Sequence, residues 1–220
     1  MFSSDGTPFQ EHEVRDYERR RYRGWDQKIV HRRETKIIRT VLKEIEEKSQ
    51  GLDGAYVLDA PCGYGRFSSL LLERNFRLVD ADISFSMVER ARNREDITTI
   101  PMGLVANLTQ RLPFRPHVFP IIISMRFFHH LHQPEERGRV LREFARSGAG
   151  WLILSYYQAN ALHRWQRKLR RLFKKSKTWI KMIGRREFRQ EVKEAGFEII
   201  RTFPLFRVIH AQHIALLKKF

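Results

Sequence analysis

The sequence predicts a mainly parallel α/β sheet with helices on both faces and an antiparallel strand pair at its C-terminal end, and three observations carry that prediction. Short apolar runs alternate with amphipathic runs across about a hundred residues, the pattern of strand–helix–strand units. A turn-rich loop, Pro61-Cys62-Gly63-Tyr64-Gly65, lies between the first strand and the helix after it. The last two apolar runs have only a Pro-containing connection between them, too short for a crossover and suited to an antiparallel pair. Parallel strands need crossovers of one hand, so few windings remain.

Residues 11–48 read as helix, rich in Glu, Arg and Lys, with Ile38, Val41, Leu42 and Ile45 at amphipathic spacing and Gly51 and Gly54 after its end. Tyr56–Asp59 reads as a short buried strand, Phe67–Arg74 as a helix, Phe76–Ile83 as a second strand and Phe85–Arg94 as a second helix. A third strand falls at Ile97–Ile100 or at Met102–Val105, with Pro101 between them. The strongest strand is Pro120–Met125, followed by a helix over Glu135–Arg146. Gly148 and Gly150 come next, before a strand at Trp151–Tyr157. Arg185–Ala195 reads as a helix ended by Gly196, and Phe197–Phe203 and His210–Leu217 as the final pair. The expected organisation is a helical N-terminal segment or cap over residues 1–50 and one domain over 51–220, with a basic insertion at about 158–184 acting as a lid.

Composition narrows the class. The 220 residues carry 42 Lys or Arg against 25 Asp or Glu, a formal net charge of +17. Hydrophobic residues are 42 % and aromatics 12 %, which supplies a core and excludes wholesale disorder. Cys62 is the single cysteine, so neither an intrachain disulfide nor a CxxC site can form, and no metal site is expected. The first ten residues lack an apolar h-region, and no apolar run approaches the ~20 residues of a membrane span. The expected compartment is the cytoplasm, with peripheral membrane contact as a further option. The positive excess points to solubility, an anionic partner, or both.

The glycine loop is the first chemical signal. Glycines there let a backbone approach a ligand, and the amide end of the next helix suits an anionic group. Asp82 ends the second strand, placed to accept hydrogen bonds from ribose hydroxyls. Loop and acid together point to a nucleotide-like cofactor. The nicotinamide loop G-x-G-x-x-G is absent, because Gly63 and Gly65 are followed by Arg66, Phe67 and Ser68.

Asp59-Ala60-Pro61-Cys62-Gly63-Tyr64-Gly65 resembles the D-x-G-C-G-x-G loop of class I S-adenosylmethionine-dependent methyltransferases. Ala81–Met87, Asn107–Phe114, Phe128-His129-His130-Leu131 and Ala195-Gly196-Phe197 resemble later segments of that family, in order, over residues 56–217. The resemblance implies a Rossmann-like methyltransferase fold and S-adenosylmethionine as cofactor. It implies that the backbone of Ala60, Pro61, Cys62, Gly63 and Gly65 holds the methionine moiety, with Asp59 ordering the loop or meeting the cofactor's amino group. Asp82 would hold the ribose, Ile83 and Met87 would lie against the adenine, and Leu108 would line the pocket. The Asn107 carbonyl would accept from the adenine amino group, where the family often has Asp. Met125 and Arg126 would sit where cofactor meets acceptor. Pro61 stands for the family's first glycine, and Pro120 for a frequent Asp.

His129, His130 and His132 follow the strongest strand, at the carboxyl edge where open α/β sheets bind ligands. His129 and His130 are candidates to take a proton from an O or N acceptor, and a structural role under the loop is their alternative. Tyr22, with Arg23 and Trp25, is a candidate to close over the cofactor; a surface helix is the alternative.

Residues 144–186 contain no Asp or Glu, and eleven Lys or Arg fall between Arg164 and Arg186. Leu162, Trp165, Leu169 and Leu172 form an apolar stripe within that run, with Trp165 a candidate lid contact to the acceptor. Such a helix suits an anionic membrane surface, phosphates of RNA or a phosphorylated glycolipid, or packing with a solvated basic face. The expected activity is methyl transfer to O or N of a small-molecule or lipid-linked, anionic acceptor. An RNA methyltransferase and a non-catalytic cofactor-binding scaffold are the alternatives. The Asn/Asp-Pro-Pro-aromatic loop of many base N-methyltransferases is missing, since Ile123-Ser124 runs into Met125-Arg126-Phe127-Phe128.

Overall fold

The computed structural model describes residues 25–159, 181–206 and 211–220. Helix α1 (Trp25–Lys48) leads into β1 (Tyr56–Asp59), α2 (Ser68–Leu72), β2 (Arg77–Asp82), α3 (Phe85–Arg92) and β3 (Met102–Val105). After β4 (Phe119–Ser124) come α4 (Pro134–Ser147), β5 (Gly148–Tyr157), α5 (Arg185–Glu194), β6 (Phe197–Pro204) and β7 (Gln212–Lys219). The strands form one sheet in the order β3-β2-β1-β4-β5-β7-β6. All neighbours among the first five pair parallel, and β7 runs antiparallel to both β5 and β6. The expected C-terminal pair is therefore present, with β7 inserted between β5 and β6 and β6 forming the edge.

Successive strand residues point to opposite faces, and both faces are apolar, as a parallel sheet covered on two sides requires. Val57, Ile121, Ile123 and Ile153 face α1 and α2, meeting Ile38, Val41, Leu42 and Leu71. Leu58, Ile122, Leu152 and Leu154 face α4 and α5, meeting Val140, Leu141, Phe144 and Phe188. The stripe at Ile38, Val41, Leu42 and Ile45 is wholly buried. Each such side chain contributes about 1.5–3 kcal/mol, so α1 is bound to the sheet as part of the core.

Two readings shift in detail. β5 begins at Gly148, before the expected Trp151, and takes in Gly150. A Cβ at Gly148 would lie 2.7 Å from the Phe144 carbonyl oxygen, and one at Gly150 would lie 3.1 Å from that of Pro120. The β4–β5 pairing shifts register between Phe119 and Ile121, where Pro120 has no N–H to donate. Helix α2 is shorter than expected; Asn75, with φ +60°, turns the chain toward β2. The third strand is the second of the two options, Met102–Val105.

Most of the expected lid, with Trp165, lies outside the described residues, as do Tyr22 and the helix expected before Trp25. The flanks of the insertion meet beside β5: Gln158 and Ile183 form a parallel bridge, and the Lys181 amide donates to the His129 carbonyl at 3.0 Å. Among the described residues no helix is long and apolar enough to cross a membrane, and no cluster of His, Cys, Asp and Glu could hold a metal ion.

Candidate active site

The glycine loop is pinned across three strand ends. The Ala60 amide donates to the Ile123 carbonyl and the Cys62 amide to the Ala81 carbonyl, each at 2.9 Å. Positive φ falls at Gly63 (+55°) and Gly65 (+74°), and not at Pro61, so the proline is compatible with the loop. A Cβ at Gly65 would lie 2.8 Å from Ser68 Oγ and 2.9 Å from Ala91 Cα, whereas Gly63 has nothing within 4 Å. Left-handed backbone costs a non-glycine residue about 1–2 kcal/mol, and overpacking against a neighbouring helix adds a further ~1–3 kcal/mol. Gly65→Ala is therefore expected to destabilise by about 2–5 kcal/mol and Gly63→Ala by about 1–2 kcal/mol in urea unfolding. Equal losses would contradict this packing.

Asp82 is fully buried and divides its carboxylate. Oδ2 accepts from the Gly63 amide and Oδ1 from the Ser84 amide, both at 3.0 Å. Ser84 Oγ caps α3 by accepting from the Met87 amide. One acid thus ties the glycine loop to the start of α3. Ile83 is half-buried and Met87 fully buried. The Ala106 amide donates to the Asp82 carbonyl, which brings Ile83 and Asn107 to neighbouring strand ends. Asn107 Oδ1 accepts from Thr109 N at 3.0 Å and Thr109 Oγ1 at 2.8 Å. Both lone pairs are used in its own turn, so the expected bond from an adenine amino group would compete with them. Leu108 is buried in the core cluster that also contains Ala60.

Asp59 is buried, and among the described residues neither carboxylate oxygen has a hydrogen-bond partner. Burial, then the neighbouring Asp80 and Asp82, push its carboxyl well above the usual range, against the opposing pull of Arg66. An orphaned buried acid beside an open glycine loop fits a ligand carrying a cationic amino group. Asp80 pairs in register with Asp59. Burial raises it to about 7, partly opposed by Ser68 and by Arg94 and Arg92. In the window from about 4 to about 7 the folded state therefore holds a proton that the unfolded chain releases, and stability falls as pH rises. Asp80→Asn is expected to flatten that slope and to gain about 2–4 kcal/mol at neutral pH with little change at pH 3, read by urea unfolding across pH. A variant that keeps the slope of the parent would show that Asp80 titrates normally.

The opposite wall follows β4. Pro61, Cys62, Gly63 and Asp82 face Met125, Arg126, Phe127 and His130 across one cleft. Arg126 has φ +56°, and its amide donates to Ser155 Oγ at 2.6 Å. His130 is exposed and lines the cleft, while His129 is buried with its ring 4.7 Å from Tyr157 and 4.1 Å from His130. His132 is exposed, and its carbonyl accepts from Arg137, which also binds Glu191 and Glu187 and so fixes this loop to α5. Of the two histidine candidates, His130 alone faces the cleft.

A buried ion cluster at this wall escapes sequence reasoning. Glu34, on α1, accepts from Arg126 Nε at 2.8 Å and Nη2 at 2.9 Å, from Gln212 Nε2 at 2.7 Å, and from Arg66. The surrounding cations overcome its burial and hold its carboxyl near 2. Burial and Arg66 lower His31, beside Arg66, to about 4, so it is neutral at pH 7. The available signal was a carboxylate in phase with the apolar stripe, four residues before Ile38 and seven before Val41.

A family model described as a methyltransferase domain matches residues 29–202. No curated protein matches the chain. Magnesium protoporphyrin IX methyltransferase from Synechocystis PCC 6803, solved with S-adenosylhomocysteine, is 21 % identical over 90 % of this chain and 88 % of that one, with TM-score 0.72. An S-adenosylmethionine-dependent methyltransferase from Clostridium acetobutylicum is 11 % identical over 86 % and 92 %, with TM-score 0.66. A TehB-like one from Corynebacterium glutamicum is 15 % identical over 96 % and 100 %, with TM-score 0.62. Glycine loop, strand order and family match agree, and the chain belongs to the class I S-adenosylmethionine-dependent methyltransferases.

Proposed function

We propose that this enzyme methylates an O or N atom of a small-molecule or lipid-linked acceptor seated between the glycine loop and the Met125–His130 segment. The observation that supports it most is the placement of both walls of one cleft at the carboxyl edge of the sheet. Bound S-adenosylmethionine supplies a methyl group on a sulfonium, a strong electrophile. The loop backbone at Pro61–Gly65 and the orphaned Asp59 would hold its methionine end, and Asp82 its ribose. Met125 and Phe127 supply apolar walls that exclude water. His130 is placed to accept a proton from a neutral acceptor. The magnesium protoporphyrin IX methyltransferase is named for a small-molecule acceptor, in keeping with this reading.

The basic segment after β5 supports an anionic surface as a partner, since its flanks return beside His129. Tritiated cofactor incubated with fractionated lipid, RNA and small-molecule extracts tests the acceptor class. Label in the small-molecule or lipid fraction is the expected result, and label confined to RNA would overturn it.

A further inference from the structure

Helix α5 segregates its charges. Glu187 and Glu191 lie four residues apart, and both bind Arg137 of α4. Arg185, Arg189 and Lys193 keep the same spacing on another face, all exposed, and among the described residues none of them forms an ion pair. Like charges at that spacing repel and weaken a helix. The three cations rim a groove of about 710 Å³ between α5 and β6, with Phe188, Ile199 and Phe220 in its apolar lining. Among the described residues Glu198 is the one acid that lines it, and the further cation there, Arg201, binds Glu44 at 3.3 Å. The groove touches each residue from Phe197 to Thr202, so it runs along the strand itself. β6 is the last strand of the sheet, and among the described residues no strand pairs with its outer edge. The bulge at Ile200 limits regular pairing there to Phe197–Ile199 and Arg201–Pro204.

We propose that this groove docks a short acidic segment of a partner protein, added as a strand beside β6. An open edge presents N–H and C=O groups in alternation, which a peptide backbone completes and a phosphate surface does not. The turn at Ala195 and Gly196 brings β6 back along α5, so helix and strand run side by side. Cations four residues apart on a helix are about 6 Å apart along its axis, and alternate residues of a strand are about 6.6 Å apart. Acids at alternate positions of the added strand would therefore meet Arg185, Arg189 and Lys193 in turn. A second copy of this chain, at net charge +17, or its own acid-free run at 144–186 would bring cations to cations.

The test is fluorescence anisotropy of the full chain with a rhodamine-labelled hexapeptide alternating Glu and Val, its counterpart alternating Lys and Val, and an isomer with the Glu residues consecutive. The alternating acidic peptide is expected to bind at least about tenfold more tightly than either control and to slow deuterium exchange in β6. The double variant Arg189→Glu, Lys193→Glu is expected to lose at least about tenfold in affinity for it. Circular dichroism checks the fold of the variant; should it not fold, the preference of the parent among the peptides and the exchange in β6 decide alone. No binding below about 1 mM, equal binding of the two acidic isomers, or unchanged exchange in β6 overturns the proposal. An affinity that the charge reversal leaves within about threefold of the parent overturns it too. Phosphatidylglycerol vesicles or polyuridylate bound more tightly than the peptide, and lost on charge reversal, would make a phosphate surface the occupant, and the proposal also falls.

Discussion

Asp82→Ala is expected to weaken S-adenosylhomocysteine binding at least about 100-fold in calorimetry, with the largest effect of any single change at the cofactor site. The carboxylate holds the Gly63 amide with one oxygen and the Ser84 amide with the other. Charge-assisted hydrogen bonds of this kind contribute about 1.5–3 kcal/mol each, so their joint loss is about 3–6 kcal/mol. Part appears as instability, because α3 loses an anchor at its first turn. The rest appears as affinity, because the glycine loop no longer has a fixed approach to its ligand, and the ribose hydroxyl proposed to meet Asp82 loses its acceptor. Asp82→Asn is expected to rescue little. Its amide nitrogen would point a donor at a backbone N–H, and a buried donor against a donor is as costly as an empty site. Circular dichroism separates the two contributions, since both variants keep the sheet. Affinity within about threefold of the parent would show that Asp82 does not organise the cofactor site.

Local signals carried most of the fold into the sequence. Tyr56–Asp59 is legible to the residue, because β1, placed between two strands, is a short apolar run ended by an acid. The helix stripe of α1 is legible because it faces the sheet on one side only. The start of β5 at Gly148 is not legible, because the reason for Gly148 and Gly150 is a close approach by the Phe144 and Pro120 carbonyls, a property of other elements. The position of β7 between β5 and β6 depends on which edge a returning strand finds, and no local residue pattern encodes it. At the site, the cofactor loop is contiguous and was legible. The ion cluster at the opposite wall is assembled from Glu34, Arg66, Arg126 and Gln212, up to 178 positions apart, and only tertiary structure brings them together.

That assembly gives the second large effect. Glu34→Ala is expected to cost about 3–5 kcal/mol in urea unfolding at pH 7, because it removes the acid that Arg126 binds while buried and that Arg66 also binds. The pH dependence has a definite sign. Glu34 is held down from 4.5 to about 2 in the folded state, chiefly by Arg66 and Arg126 acting against its burial. A depressed carboxylate contributes stability that is fully present above about 4.5 and is lost as pH falls toward 2. At 1.36 kcal/mol per unit that loss is about 3 kcal/mol, and Glu34→Gln is expected to lack it while the parent shows it. The pairing also makes the losses non-additive. Once Glu34 is gone, Arg126→Ala removes a group already uncompensated, so the double variant should be more stable than the sum of single losses by about 1–3 kcal/mol. Additive losses, or a Glu34→Ala protein as stable as the parent, would mean that the two arginines find other partners. In that case α1 is held to the cleft by its apolar stripe alone, and the orientation of Arg126 does not depend on Glu34.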